Sequence, residues 1–355
     1  MPVKCSVSIA LCTYNGERFL QEQLDSLAAQ TRLPDEVVVG DDGSSDRTLE
    51  ILERWAEKVP FPVRIQKNVQ NLGFARNFEQ TMLRCKGEIL FLCDQDDIWF
   101  PEKLETMCRV FEEKPEVGVV YCGAAIVDEA GKPVNRERAD LGELELSTNY
   151  RELVHPFCHV HTNTSGCCSV VRASLLEKIF PLDCHFCHDS AVYMLGVFFT
   201  DFYSITKDLM FYRFHGSNAS LEGDWESFFR KKEQERKTFY RWIAGTYFLM
   251  EPEIDYYLGK VQAMPDSPMK KRVLKKIQTA KLHYPNRHRV QRNFFVFFPL
   301  FFVEVFSGRY FARFQPVRSM AFDVWTGIKN GLNPLATLCL VGSLFGKIWR
   351  KLKCR

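Results

Sequence analysis

Ile89-Leu90-Phe91-Leu92-Cys93-Asp94-Gln95-Asp96-Asp97 passes without a break from a purely apolar run into three carboxylates. A short apolar run with no alternation reads as a strand buried on both faces, which is the pattern of helix-flanked parallel sheets. Glu88 to Cys93 is therefore a central strand, and the acidic run lies where its carboxyl end leaves the sheet. In open α/β sheets ligands bind at that end.

The same unit recurs on the amino-terminal side. Ser6 to Cys12 is an apolar run ending in Thr13-Tyr14-Asn15-Gly16, and Phe19 to Gln30 then repeats Leu20, Leu24 and Leu27 at helical spacing. Glu36 to Gly40 is a Val-rich strand closed by Asp41-Asp42-Gly43-Ser44-Ser45-Asp46, and the helix after it sets Leu49, Leu52 and Trp55 on one face. Val63 to Gln66 reads as a third strand and Phe74 to Cys85 as a helix. Alternating strands and helices imply an α/β fold with a mainly parallel central sheet flanked by helices, its polar loops gathered at one edge.

Beyond the acidic run, Val117 to Cys122 and Ala124 to Val127 are strand candidates, with Glu129-Ala130-Gly131-Lys132 as a turn. Thr164 to Val171 is expected to be extended, and Phe198 to Tyr212 to give one or two strands. The first domain is placed at 1–222. A charged, aromatic helical extension and a proline-bearing linker fill 223–268, and a basic, aromatic-rich region fills 269–355.

The chain has 355 residues, of which 46% are hydrophobic and 26% charged, enough for a packed domain and against intrinsic disorder. The net charge of +3 conceals an asymmetry: from Met269 onward 18 basic residues face 2 acidic ones, and before it 29 face 42. Lys4 and Ser6 interrupt the start, so no cleaved signal peptide is expected, and 13 cysteines in a chain this long suit reduced thiols. The first domain is expected to be cytoplasmic.

Asp94, Asp96 and Asp97 repel one another unless a cation or hydrogen-bond donors compensate. Mg²⁺ or Mn²⁺ would do so, being hard ions that take oxygen ligands and bridge to phosphate. The plainer reading is a solvated turn capping the helix from Pro101 to Phe111. Ser44, Ser45 or Asp46 can cap the second helix, but Asp41 and Asp42 precede the cap and need donors of their own. A nucleobase imide and ribose hydroxyls would supply them.

Together Val7-Ser8-Ile9-Ala10-Leu11-Cys12-Thr13-Tyr14-Asn15, Asp41-Asp42-Gly43-Ser44-Ser45-Asp46, Asn71-Leu72-Gly73-Phe74-Ala75-Arg76-Asn77 and Cys93-Asp94-Gln95-Asp96-Asp97-Ile98-Trp99 resemble glycosyltransferase family 2, in order and spacing, over about the first 220 residues. Asp94 to Trp99 and Tyr212-Arg213-Phe214-His215-Gly216-Ser217-Asn218 are most similar to rhamnosyltransferase-like members. The resemblance implies a GT-A fold and an inverting transferase that moves a sugar from a nucleotide-diphosphate donor to a glycan or lipid-linked glycan acceptor. It further implies a nucleotide site at Thr13, Tyr14, Asn15, Glu17, Asp41, Asp42, Arg76 and Asp94. A metal, Mg²⁺ or Mn²⁺, would be held by Asp94 and Asp96, with Asp97 as an alternative to Asp96 and His215 on the metal or the diphosphate. The family carries its catalytic base in a His-Asp or Glu-Asp pair before a helix, which falls here on His188-Asp189 and makes Asp189 the base. Ser190 and Ala191 follow the pair where such members often have two aromatics. The plainer reading of Asp189 is a helix cap.

The stretch from His155 to His188 is rich in Cys and His, yet its spacings match no pair of C-x-x-C knuckles, which disfavours structural zinc. Phe294 to Phe306 and Leu335 to Trp349 are apolar but shorter than the roughly 20 residues of a membrane-spanning helix. With basic residues between them they read as interfacial helices on an anionic membrane, which makes the protein peripheral at the inner face of the cell membrane. A packing appendage is the alternative. Nucleic acid is not expected as a partner, because the basic charge is interleaved with bulky apolar runs. Two rivals remain: a sugar-nucleotidyltransferase, which needs a Gly-rich basic loop after the first strand, and a non-catalytic membrane-surface protein with a transferase-like domain.

Overall fold

The computed structural model describes residues 4–133, 166–178, 180–182, 188–194, 199–216, 255–275 and 277–278. The chain divides into two compact units, Met1–Tyr150 with Cys158–Phe229, and Arg151–Phe157 with Arg230–Arg355.

In the first unit the strand–helix alternation runs β1 (Val7–Thr13), α1 (Leu20–Ala28), β2 (Glu36–Asp41), α2 (Thr48–Ala56), β3 (Val63–Lys67), α3 (Phe74–Arg84) and β4 (Ile89–Cys93). It continues with β5 (Ile98–Trp99), α4 (Lys103–Glu113), β6 (Val117–Val127), β7 (Ser169–Arg172), α5 (His188–Met194) and β8 (Asp201–Arg213). These strands form one sheet in the order β3-β2-β1-β4-β7-β6-β8-β5. Every residue of β1, β2 and β4 is buried, as their unbroken apolar runs require.

The two faces of the parallel half differ. Ile9, Leu11, Val37, Val39 and Phe91 point into one apolar core with Leu20, Leu24, Leu27, Leu52 and Trp55 from α1 and α2. The other face presents small or polar side chains to α3. Gly40 sits so close beneath that helix that an added Cβ would lie 2.0 Å from Thr81 Oγ1 and 2.6 Å from Asn77 Oδ1. Asn77 Nδ2 donates to the Gly40 carbonyl at 2.7 Å, which fixes how α3 crosses β2.

Only part of the sheet is parallel. β3, β2, β1 and β4 run in one direction and β6 pairs with β8 in parallel, but β7 is antiparallel to both β4 and β6, and β5 to β8. The reversal follows from where β7 begins. The 3₁₀ turn Gly166–Cys168 lies at the carboxyl end of β4, and Ser169–Arg172 then runs back until Arg172 faces Ile89. Val117 to Val127, expected as two strands, is one strand with irregular register around Gly123. Of the expected extended segment Thr164 to Val171, Gly166–Cys168 instead forms the turn.

The second unit is described at 255–263 and 268–275, both helical. Ser267 Oγ accepts the Lys270 N–H at 3.1 Å and Pro268 opens the second helix, so the expected linker is a capped turn. Tyr257, Val261, Val273 and Ile277 are buried. Among the described residues no helix is long and apolar enough to cross a membrane. Phe294 to Phe306 and Leu335 to Trp349 lie outside them.

Candidate active site

Three loops meet at the carboxyl ends of β1, β2 and β4, and the chain itself binds them together. After β1, Asn15 takes a left-handed φ of 47°, which Asn tolerates better than most residues. Its N–H donates to Ser44 Oγ at 2.9 Å, and its Oδ1 accepts the Ser45 N–H at 2.9 Å. The N–H groups of Gly16 and Glu17 reach Thr48 Oγ1 at 2.8 Å and Asp46 Oδ2 at 3.0 Å. Glu17 Oε2 accepts the Arg47 N–H at 2.9 Å, and Asp46 Oδ1 accepts the Thr48 N–H at 3.0 Å, although Arg47 and not Asp46 holds the N-cap position of α2. The Tyr14 ring remains 49% exposed above this frame.

Asp41 and Asp42 are buried, and protein groups donate to both. Asp41 accepts the Thr13 hydroxyl at 2.9 Å, the N–H groups of Gly43 and Ser44 at 3.2 and 2.9 Å, and the Ser44 hydroxyl. Asp42 accepts from Asn68 Nδ2 at 2.8 Å, from the Leu72 N–H at 2.8 Å and from the Gly73 N–H at 2.9 Å. Gly73 has a φ of 78°, a conformation that suits glycine at the entrance to α3. Arg76, one turn on, pairs with Glu79 at 2.5 Å and is partly exposed beside this carboxylate.

The acidic run after β4 separates into two sets. Asp96 Oδ2 lies 2.8 Å from His215 Nε2, and the imidazole is stacked on Phe19 at 4.7 Å. At that distance the two groups form a hydrogen-bonded pair. Asp94 and Asp97 group instead with Cys167, their ligand atoms all within 4.8 Å of one another. Asp97 is completely buried; its carboxylate accepts the Arg213 N–H at 3.2 Å through Oδ1, and Oδ2 has no partner. Burial, then the charges of Asp96 and Asp189, push Asp94 up to about 7, against the pull of His188 and the Cys167 thiol. Burial, then the charges of Asp96 and Asp94, raise Asp97 as well. An orphaned buried oxygen among mutually destabilised carboxylates fits a divalent cation, whose charge would reverse those shifts.

His188 and Asp189 open α5 with Nε2 and Oδ1 2.6 Å apart. The imidazole is stacked on Phe78 at 4.1 Å with Phe74 at its edge, and no side chain fits at Gly166, where a Cβ would lie 2.6 Å from both His188 and Asp189. Burial works to raise the Asp189 carboxyl, but His188 and the N–H groups of Gly166 and Asp189 outweigh it and hold the carboxyl below its usual range. Asp189 is ionised at neutral pH, and its charge is felt at Asp94.

Four residues that sequence reasoning passed over organise this geometry. The Gln95 amide pairs with the backbone of Tyr14. Asn68 bridges Asp42 and Asn77. Arg213, fully buried, donates to the carbonyls of Asp96 at 3.0 Å and Glu129 at 3.1 Å and to Glu22 Oε2 at 2.7 Å. Lys103, also buried, donates to the Cys167 carbonyl at 2.8 Å beneath the Trp99 ring. Arg213 stood two residues before His215 and Gln95 inside the acidic run, so position alone could have drawn attention to both. Of the Cys/His-rich stretch, Cys167, Cys168 and His188 are in the described residues, and those from 155 to 161 and 184 to 187 lie outside them.

The mixed sheet with an acidic run at the exit of β4 has counterparts among known proteins. TarS of S. aureus, residues 1–349 in complex with UDP, matches with a TM-score of 0.50 at 18% identity over 80% of this chain and 71% of that one, and the fold is GT-A. Residues 8–180, just under half of the chain, match the family model for glycosyl transferase family 2. An uncharacterized glycosyltransferase of Nostoc sp. is 29% identical over 226 residues, 61% of this chain and 66% of its own length. The amylovoran biosynthesis glycosyltransferase AmsE of Erwinia amylovora is 34% identical over 171 residues, 46% of this chain and 59% of that protein. The chain thus spans less than two thirds of the length of each of these two relatives.

Proposed function

We propose that this protein is an inverting glycosyltransferase that moves a sugar from a nucleotide-diphosphate donor to an acceptor hydroxyl. The observation that carries the reading is geometric: Asp189, paired with His188 at 2.6 Å, packs against Gly166 of the same turn whose Cys167 meets Asp94 and Asp97 of the acidic run. A base and a diphosphate-facing carboxylate cluster must share one cleft if proton removal and leaving-group departure are to occur in the same step.

Asp189 takes the proton of the acceptor hydroxyl as that oxygen bonds to the anomeric carbon. The bond from that carbon to the donor's diphosphate oxygen breaks on the opposite face, which inverts the centre. His188 keeps Asp189 oriented and ionised until the proton arrives. Tyr14 offers a ring face to the nucleobase, and Asn15, Glu17, Asp42 and Arg76 are assigned to the nucleotide on the family resemblance. Asp96 and His215, with Asp94, would hold Mg²⁺ or Mn²⁺, which supplies charge neutralisation for the departing diphosphate.

The finer assignments are further parts of this proposal. The resemblance of Tyr212 to Asn218 to rhamnosyltransferase-like sequences supports a deoxyhexose such as rhamnose as the sugar. The likeness to AmsE, an amylovoran biosynthesis glycosyltransferase, supports a glycan or lipid-linked glycan acceptor in cell-surface polysaccharide synthesis. The basic, aromatic region 269–355 supports attachment to anionic lipid at the cytoplasmic face of the membrane. Flotation with anionic vesicles tests that attachment: protein that stays at the bottom of the gradient contradicts it.

The whole reading is tested by incubating the protein with UDP-, dTDP- and GDP-sugars and measuring release of nucleotide diphosphate. Release from one nucleotide class is expected. Intact donors across the panel, with acceptor glycans present, would overturn it.

A further inference from the structure

Cys167 is brought to the acidic run by the reversal of β7, which starts at the carboxyl end of β4. Its Sγ, an oxygen of Asp94 and an oxygen of Asp97 lie within 4.8 Å of one another. Two further observations separate this set from an ordinary acidic turn. Asp97 is completely buried and its Oδ2 lacks a partner, a costly state that a ligand would relieve. The turn that carries Cys167 is also held from below, since the buried Lys103 ammonium donates to the Cys167 carbonyl at 2.8 Å. The backbone that carries the thiol is therefore anchored beside the carboxylates.

We propose that Asp94, Asp97 and Cys167 form an inner cation seat, distinct from the outer Asp96–His215 pair, that selects a thiophilic divalent ion of the Zn²⁺ class over Mg²⁺. Sulfur decides the selectivity. Mg²⁺ requires hard oxygen ligands at about 2.1 Å and binds thiolate poorly. Zn²⁺ accepts sulfur at about 2.3 Å and carboxylate at about 2.0–2.2 Å, which places tetrahedral S and O ligands about 3.5 Å apart. That spacing lies inside the observed limit, and three protein ligands leave a fourth position open. Binding requires all three ligands deprotonated, so the Cys167 proton and any proton held by the two carboxyls pass to solvent, and the thiolate, the two carboxylates and the ion then balance to a single negative charge. The proposed reaction also calls on Asp94 alongside Asp96 and His215, so an ion in the inner seat competes with Mg²⁺ or Mn²⁺ for it. That consequence rests on the glycosyltransferase reading, whereas the seat itself does not.

Reduced full-length protein titrated with Co²⁺ alone tests the seat, because a cobalt–thiolate bond absorbs in the near ultraviolet. The band should saturate, be displaced by stoichiometric Zn²⁺ and resist a large excess of Mg²⁺. The other 12 cysteines set the background, so the informative quantity is the difference from Cys167→Ser, in which this band should vanish. Asp97→Asn should weaken it at least tenfold, and circular dichroism reports whether each variant is folded. No saturable band in the wild type, or an equal band and affinity in a folded variant, would overturn the seat. Mg²⁺- or Mn²⁺-supported turnover, measured separately on the wild type, judges the glycosyltransferase reading whichever way the cobalt result falls.

Discussion

The side-chain amide of Gln95 pairs with both backbone groups of Tyr14: Oε1 accepts the Tyr14 N–H at 2.8 Å and Nε2 donates to the Tyr14 carbonyl at 3.0 Å. Gly16 closes over the same amide, where a Cβ would come within 2.3 Å of Oε1. The loop that carries the exposed Tyr14 ring is thereby fixed to the acidic run, 81 residues away in sequence. A carboxylate cannot reproduce this pairing, because it accepts and never donates.

Gln95→Leu leaves two backbone groups without their partner, at about 1–3 kcal/mol for each one kept from water. The expected outcome is nucleotide affinity lowered by about tenfold or more with the melting temperature little changed, as solvent can reach this loop. Calorimetric titration with nucleotide diphosphates measures it. Unchanged affinity would mean that the loop holds its shape without Gln95.

Metal removal gives a second prediction. Chelator should abolish transfer, and Mn²⁺ or Mg²⁺ should restore it. Asp96→Asn, which lies opposite His215, should reduce metal-supported turnover by at least about 10²-fold with the fold retained. Full wild-type turnover in excess chelator would remove the metal from the proposed reaction.

Arg213 predicts a stability effect. Its guanidinium spans the acidic run, Glu129 and α1 while its own N–H binds Asp97. Arg213→Met leaves the carbonyls of Asp96 and Glu129 without that donor, so a loss of about 2–4 kcal/mol in urea unfolding is expected. A midpoint equal to wild type would show that the buried guanidinium contributes nothing net.

The pH dependence of stability has a part traceable to Glu36. Burial opposes its ionisation, but Ser8, the Lys86 N–H and Arg64 outweigh burial and lower its carboxyl below the ordinary 4.5. A carboxylate whose folded pKa is depressed contributes stability above the unfolded value, and that contribution is lost as pH falls through the folded one. Unfolding free energy should therefore decline below about pH 4.5, and Glu36→Gln should flatten that decline. Identical acid limbs in wild type and variant would assign the loss to other groups.

How far the sequence could be read follows from the range of each interaction. The strand–helix alternation was legible because Val7 to Thr13, Glu36 to Asp41 and Ile89 to Cys93 are unbroken buried runs with helical periodicity between them. The antiparallel β7 was not, since Ser169–Arg172 is short and its direction depends on the place of the Gly166–Cys168 turn. Asp41 and Asp42 stood out as carboxylates in need of donors. That Leu72 and Gly73 would supply their N–H groups from 30 and 31 residues away is a tertiary fact with no local signal. Asp96 and His215 were each singled out, but their 2.8 Å approach requires β8 to end beside β4's acidic loop. Gln95 and Lys103 escaped notice because a neutral amide among acids and a lone lysine in a helix are unremarkable until their partners are known.

Asp189 carries the central claim, and its removal tests that claim most directly. A base acts only as the proton leaves the acceptor, so Asp189→Asn should lower turnover at saturating acceptor by about 10²–10⁴-fold while nucleotide-sugar binding stays close to wild type. The carboxamide keeps the shape beside His188 and Gly166 and gives up the proton-accepting charge. Turnover within a few-fold of wild type would contradict the account.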